Sequence, residues 1–377
     1  MGGPAWGGPA LGPLTMASTA RHVGVSLGMI DSLSDGLGEF STQVCEHVAR
    51  VAPAWREQHG VHFHLHMPAR WHGRFGDQVG YLATRKLQGY WHWQGLRRFD
   101  VWHGLNQLGR IIPPMGTRHS LLTIHDLNPV YHDSEPQARK ALDKLRRRLR
   151  HFDEVTTLTR HVEGDIRRHL GWSGPVTVIP NGARDLNTHA QDAVPGIVPG
   201  RYLLHLSRMA ASKNPQSLVD MAALWPQQAL VLAGPRTGDS DRLAAQVRER
   251  GLANVTVVQE VSDAQKTWLY AHCQAFVFPS LTEGFGLPPL EAMHFGKPVF
   301  LSRLTSLPEV GGTHAGYFDS FEPQAMRRTI ETETPRLLRE GLAIRAHAAQ
   351  FRWDRAAEAY LAIYRRLLDT TAVSTPR

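Results

Sequence analysis

Apolar positions along this chain follow two alternating rhythms. Short runs with period two, or with unbroken apolarity, predict strands, and stretches spaced at three and four predict amphipathic helices between them. "VHFHLHM" at 61–67 alternates cleanly, and "AFVFPS" at 275–280 is continuously apolar, as a strand buried on both faces would be. The first half reads as strands at 22–30, 61–67, 100–105, 119–126, 154–158 and 176–182, with the helix "EFSTQVCEHVARVA" after the first. Residues 186–199, "LNTHAQDAVPGIVP", lose all periodicity and read as a linker. The rhythm restarts with strands at 201–207, 229–234, 254–261, 275–280 and 298–302, a helix at 264–272, and a strongly amphipathic closing helix at 353–368. Strand–helix–strand alternation in two blocks predicts an α/β fold of two doubly wound domains, with ligands held where the strand ends face a cleft.

Length agrees with that division, since 377 residues exceed what one hydrophobic core ordinarily serves. Domain bounds of 21–190 and 191–353 follow, and the Gly/Pro/Ala-rich residues 1–20 read as a disordered extension, with Met16 as an alternative start. No apolar run reaches the ~18 residues of a membrane span, and the first 20 residues lack the basic start of a secretory signal. Cys45 and Cys273 are the only cysteines and give no metal spacing, so a reduced, cytoplasmic protein without a bound metal is expected.

Charge adds one candidate surface. The net charge is +8, and the densest basic run, "ARKALDKLRRRLRHFDE" at 138–154, forms a helix with Ala141, Leu142, Leu145, Leu149 and Phe152 on one stripe and cations elsewhere. Either this helix simply docks on its own domain, or residues 138–150 meet anionic lipid or a phosphorylated acceptor. Nucleic acid is not an expected partner, because no zinc-finger, basic-zipper or RNA-recognition pattern accompanies the charge.

The candidate chemistry lies in "TEGFGLPPLEAMHFGKPV", residues 282–299. Glu283 follows a buried strand. The prolines predict a helix beginning at Pro289 and ending at Gly296, with Glu291 in its first turn. The N–H groups of Phe285, Gly286 and Leu287 would then point out of a helix amino end, a ready anion site. Glu291 alone could simply stabilise that end, and Glu283 alone could be an ordinary loop residue. The loop "LSRMAASKNPQSL" also follows a strand and opens a helix, with Asn214 as its cap, and carries Arg208 and Lys213. Two cations beside amide donors and two carboxylates suit a nucleoside-diphosphate sugar: cations for phosphate, carboxylates for hydroxyls.

"RMAASKN", "VFPSLTEGFGLPPLEAMHFGKPV", "TSLPEVGG", "TIHDL" and "IPNGA" together resemble the retaining glycosyltransferases of family 4, which have the GT-B fold, and "FRWDRAAEAYLAIYRRL" resembles their closing helix. The resemblance implies two Rossmann-like domains, the first for the acceptor and the second for the nucleotide sugar, with a helix at about 354–377 packing back on the first. It implies that Arg208 and Lys213 neutralise the diphosphate, that Glu291 binds the ribose, and that Glu283 faces the transferred sugar. Phe285, Gly286 and Leu287 would contact sugar and phosphate. His125 would lie in the cleft near sugar and acceptor, and the loop bearing Gly36 and Gly38 near diphosphate and acceptor. No metal or other cofactor is implied, only a nucleoside-diphosphate sugar as donor. The acceptor would be a saccharide or lipid-linked hydroxyl, as in cell-envelope polysaccharide or lipopolysaccharide synthesis.

Three stretches depart from the family pattern. Ser207 and Glu260 stand where glycine is usual, and residues 68–99, rich in Trp, Arg and His, match nothing familiar. The Asp239–Ser240–Asp241 triplet reads as a solvated turn rather than a metal site. A nucleotide-sugar epimerase, a phosphorylase and a non-catalytic sugar- or lipid-binding protein are the competing classes.

Overall fold

A computed structural model describes residues 20–30, 32–33, 36–85, 98–108 and 111–370. The expected extension before residue 20 and residues 86–97 of the unmatched stretch lie outside them. The first sheet holds seven strands, ordered β3-β2-β1-β4-β5-β6-β7: β1 Arg21–Ser26, β2 Val61–Met67, β3 Gly80–Ala83, β4 Val101–Gly104, β5 His119–Ile124, β6 Glu154–Thr157 and β7 Val176–Val178. Its helices are α1 Gly36–His59, α2 Pro129–His132, α3 Glu135–Leu149 and α4 Arg160–Asp165. The second sheet holds six strands, ordered β10-β9-β8-β11-β12-β13: β8 Tyr202–Leu206, β9 Ala229–Gly234, β10 Val255–Gln259, β11 Ala275–Phe278, β12 Val299–Ser302 and β13 Gly316–Phe318. With it go α5 Pro215–Ala223, α6 Gly238–Glu249, α7 Asp263–His272, α8 Leu287–His294, α9 Leu307–Gly311, α10 Pro323–Arg339 and α11 Gly341–Ala348. The last helix, α12, is Trp353–Asp369.

Every strand pairing is parallel, so helices must cover both faces, and the central strands are buried along their length. This is the α/β doubly wound architecture expected from the rhythm. Two edge strands, β3 and β13, escape the pattern. They are four and three residues long, and β3 is half-exposed throughout, so neither shows an apolar run. The first strand also stops at Ser26 rather than continuing to 30, because the chain turns at Gly28 with φ of 69°.

The closing helix returns to the first sheet. Tyr360 and Tyr364 are buried there, and the Tyr364 hydroxyl lies 2.6 Å from His103 Nδ1 of β4. Arg366 forms a fork with both oxygens of Glu154 at the start of β6, 2.9 and 2.5 Å. Two buried tyrosines contribute roughly 2–3 kcal/mol each from apolar burial, which exceeds what the half-exposed ion pair adds.

In α3, Leu145 and Leu149 are buried with Phe152, as the stripe predicts, but so is Arg148. Its guanidinium donates to the carbonyls of Ile111 and Asn106, both at 2.9 Å, and of Leu108 at 3.3 Å. Burial lowers its pKa to about 10, which leaves it a cation at neutral pH. Arg148 therefore ties α3 to Asn106, Leu108 and Ile111 and is withdrawn from the basic surface. Arg139, Lys140, Lys144, Arg147 and Arg150 remain exposed on the helix or just past its end. The Asp239–Ser240–Asp241 triplet forms the first turn of α6, capped by Thr237, rather than a free turn. Two acidic residues in a first turn suit the positive end of the helix.

Candidate active site

The loops after β8, β9, β10, β11 and β12 meet at one end of the second sheet. Helix α8 opens two residues earlier than the prolines suggest, at Leu287 with Gly286 as its cap. Pro288 and Pro289 then fall within the first turn, where an N–H has no helical partner anyway, so they cost no hydrogen bond. Gly286 has φ of 111°, and a Cβ there would lie 2.9 Å from Leu307 Cδ2. No acceptor among the described residues receives the N–H groups of Phe285, Gly286 or Leu287.

Lys213 ends a single 3₁₀ turn and places Nζ 2.5 Å from Glu283 Oε1. Two bonds tie that turn to the Glu283 loop: Leu281 N–H to Ser212 O at 2.8 Å, and Ser280 Oγ to the same oxygen at 3.0 Å. Arg208 is exposed, and its guanidinium has no acceptor among the described residues. Met209 and Asn214 hold left-handed backbone at φ of 57° and 51°, which folds the loop tightly. Asn214 occupies the cap position of α5 but makes no side-chain capping bond, contrary to the sequence expectation; its left-handed backbone is not the extended conformation a capping residue takes. Ser207 has a role of its own: Oγ lies 2.7 Å from His205 Nε2 and accepts the Met209 N–H at 3.0 Å.

Glu291 is buried at 2% exposure, with Oε1 2.7 Å from Lys266 Nζ and Oε2 accepting the Tyr270 hydroxyl at 2.9 Å. A carboxylate offers about four lone-pair sites, so two partners leave capacity for hydroxyl donors. Burial, then Glu291 itself, pushes the Tyr270 hydroxyl well above its usual pKa, so it stays a donor. Sequence reading missed both partners, although Lys266 and Tyr270 are four apart on a predicted helix and share a face. Glu39, in the first turn of α1, was also missed. Burial and the nearby Glu291 raise its pKa, and Arg184 Nε lies 3.4 Å from its Oε1.

His125, at the end of β5, is buried and neutral. Burial lowers its pKa to about 4, and Nε2 lies 2.7 Å from the Leu105 carbonyl. A carbonyl only accepts, so Nε2 carries the proton and Nδ1 is the free acceptor. Phe40 contacts the ring edge-on with centroids 4.6 Å apart. The neighbouring carboxyl of Asp126 also has a raised pKa, from burial first and with Glu283 contributing.

The pair Gly36 and Gly38 do not form the expected loop. Gly36 begins α1, and Gly38 is buried in its first turn, where a Cβ would overlap the backbone of Leu33 and Ser32. Gly38 is therefore fixed by close chain approach, a packing reason sequence spacing cannot show. Glu260 takes left-handed backbone, φ 61°, and its N–H bonds Gly234 O at 2.8 Å. Among the described residues, no group of three or more His, Cys, Asp or Glu side chains is placed to hold a metal ion.

The two sheets meet around Glu283. Thr282 Oγ1 bonds Asn128 Oδ1, Thr159 Oγ1 reaches Gly284 O at 3.5 Å, and a methyl on Gly284 would overlap the His125 carbonyl oxygen. These contacts bring Glu283, Lys213, His125 and the amide donors of 285–287 to one cleft.

A family profile described as glycosyl transferases group 1 matches residues 190–332, and one described as glycosyl transferase 4-like domain matches residues 32–182. The chain belongs to the GT-B glycosyltransferases of family 4. Within this family, a serotype-specific mannosyltransferase WbdA of Escherichia coli is 32% identical over 188 residues, 46% of this chain and 23% of that protein. An O-antigen chain mannosyltransferase B of Escherichia coli is 33% identical over 177 residues, 44% of this chain and 46% of that protein. The chain thus spans just under a quarter of the length of the first of these curated relatives and just under half of the second. Among solved structures, sucrose-phosphate synthase from Thermosynechococcus elongatus superposes with a TM-score of 0.71 at 19% identity, covering 93% of this chain and 100% of that one. Anabaena HepE in complex with UDP and glucose superposes with a TM-score of 0.67 at 17% identity, covering 92% and 100%. At these identities the superpositions establish the GT-B fold. Among the described residues no helix is long and apolar enough to cross a membrane.

Proposed function

We propose that this glycosyltransferase moves a hexose from a nucleoside-diphosphate sugar to a hydroxyl of a saccharide or lipid-linked acceptor, with retention of anomeric configuration. The observation that carries the reading is the Lys213–Glu283 pair beside three amide donors and an Arg208 guanidinium that have no acceptor among the described residues, at the strand ends of the second sheet. Charge grows on the departing diphosphate as the glycosidic bond breaks. Lys213, held by Glu283, and the α8 amino end would meet that charge with little reorganisation, and the exposed Arg208 would swing in to join them. Glu291, steadied by Lys266 and Tyr270, accepts from the ribose hydroxyls. Glu283 accepts from the sugar hydroxyls while Lys213 holds its carboxylate in place.

His125 is neutral, so its role is to accept a hydrogen bond at Nδ1 rather than to supply positive charge. No carboxylate has been assigned beneath the anomeric carbon as a nucleophile. The family resemblance implies instead a same-face displacement in which the leaving phosphate takes the acceptor proton, and that is the reading adopted. The mannosyltransferase relatives favour mannose as the sugar and O-antigen or other envelope polysaccharide as the product. Exposed Arg139, Lys140, Lys144, Arg147 and Arg150 would hold the enzyme near an anionic membrane surface.

Thermal stability against UDP, GDP and ADP tests the donor class. A nucleotide at 100 times its dissociation constant adds about 2.7 kcal/mol. We expect one of the three to stand out, and Glu291→Ala to abolish the response. No response to any of them would overturn the transfer reading and leave Glu291 a buried structural partner of Lys266 and Tyr270.

A further inference from the structure

We infer that Glu309 is a positioning residue for the transfer reaction: its carboxylate fixes the first domain against the loop that carries Glu283. This rests on the proposed donor site and goes beyond it, since Glu309 itself touches no residue assigned to the donor. The carboxylate lies on α9, in the second domain. Its two oxygens accept the backbone N–H of Arg160, both at 2.9 Å, and Oε2 also accepts that of His161 at 3.3 Å. These N–H groups open α4, in the first domain. Thr159 already serves as the local cap of α4 by accepting the Val162 N–H at 3.3 Å, so Glu309 takes the two remaining free donors.

The same short segment of chain grips the Glu283 loop. Thr305 Oγ1 accepts the Glu283 N–H at 3.0 Å, and Ser306 Oγ donates to Glu283 O at 2.8 Å and to Phe285 O at 3.2 Å. Thr305 holds left-handed backbone at φ of 51°, so the grip is built at some conformational cost. Within five residues, 305–309, the chain therefore binds the sugar-facing loop at one end and the acceptor-side domain at the other. Thr159, the residue before the clamped pair, reaches Gly284 O. Moving α4 off Glu309 would draw the first domain, and His125 with it, away from Glu283.

Glu309 is exposed, so its bonds to α4 add little to fold stability and can break and re-form in water. That suits a contact made on closure rather than one needed for folding. Arg208, Lys213 and Glu291 all lie in the second domain, so a nucleotide can bind with the contact open.

The test pairs Glu309→Ala with Arg160→Pro. Arg160 is the first residue of α4, where proline is well tolerated, and its preceding residue is extended at φ −144°, ψ 157°, as a residue before proline requires. The proline deletes a clamped N–H and leaves the helix intact. Wild type and variants are compared by melting temperature, by calorimetric affinity for whichever of UDP, GDP or ADP shifts the wild-type melt, by radius of gyration with that nucleotide bound, and by donor turnover.

Loss of charge-assisted bonds predicts a kcat about tenfold lower in Glu309→Ala, with nucleotide affinity and melting temperature nearly unchanged and a larger radius of gyration. The double variant should be no worse than Glu309→Ala alone, and Glu309→Gln, which keeps an acceptor oxygen, should recover part of the loss. A kcat within twofold of wild type, or multiplying losses in the double variant, would overturn the positioning role and leave the transfer reading untouched. A wild type that binds none of UDP, GDP and ADP would overturn both.

Discussion

Glu260 shows how one residue can depart from a family pattern and keep the backbone the pattern demands. Its φ of 61° is the left-handed conformation that glycine adopts freely, and an L side chain there is strained. The side chain is exposed, so nothing evident in its packing offsets the strain. Glu260→Gly should therefore stabilise the protein by about 1 kcal/mol, whereas Glu260→Gln should change little. Urea unfolding of the three proteins checks this, and equal midpoints would show that the surrounding loop absorbs the strain. Ser207, the other departure, behaves differently. It bonds His205 and the Met209 amide, so the hydroxyl is built into the loop that carries Arg208. Both departures were legible in the sequence as residue types. Their consequences were not, because a dihedral angle and a hydrogen-bond partner are set by neighbouring chain.

At the scale of an element, α8 depends on its cap. Gly286 combines φ of 111° with a side chain of α9 close to where a Cβ would stand. Gly286→Ala should cost about 1–3 kcal/mol, and the distortion falls on the amide donors that face the proposed diphosphate. A lower melting temperature and a weakened nucleotide response should appear together. Gly36→Ala is the matched control, since Gly36 opens α1 with no described residue close to where a Cβ would stand and no positive φ, and should be neutral or mildly stabilising. Loss of stability from Gly36→Ala equal to that from Gly286→Ala would show that the cap geometry is not what matters. The existence of α8 and the presence of Glu291 on it could be read from proline and glycine spacing, but Glu291 stands fifth in the helix, past the first turn where the spacing put it. The first residue of α8 could not be read, because two prolines in succession satisfy either boundary until the fold decides which amides are free.

Across the whole molecule, buried neutral histidines link both domains to pH. Burial lowers the pKa of His103 to about 3 and of His125 and His205 to about 4, from an ordinary value of 6.5. The folded protein keeps them neutral, while the unfolded chain takes up protons below about pH 6.5. Their contribution to stability is thus fully present above that pH and is lost as pH falls toward about 4. The slope is up to about 1.4 kcal/mol per pH unit for each histidine in that window. The urea midpoint should be clearly lower at pH 5 than at pH 7.5. An unchanged midpoint would mean that these rings are protonated in the folded state.

The sequence by itself determined the alternation of strands and helices, the two-domain division it predicts, and the spacing that sets Glu283 and Glu291 on either side of a helix amino end. Each of those follows from local chemistry: side-chain periodicity, proline and glycine geometry, and unpaired backbone donors at a helix end. Tertiary structure decided the rest. The edge strands β3 and β13 exist because a neighbouring strand offers free hydrogen-bonding groups, and their own three or four residues carry no pattern. Lys266 and Tyr270 reach Glu291 because α7 packs against α8. The tautomer of His125 comes from the Leu105 carbonyl, and the grip of Glu309 on α4 from the meeting of two domains. Those are partnerships between residues distant along the chain, and only the folded chain brings them within bonding distance.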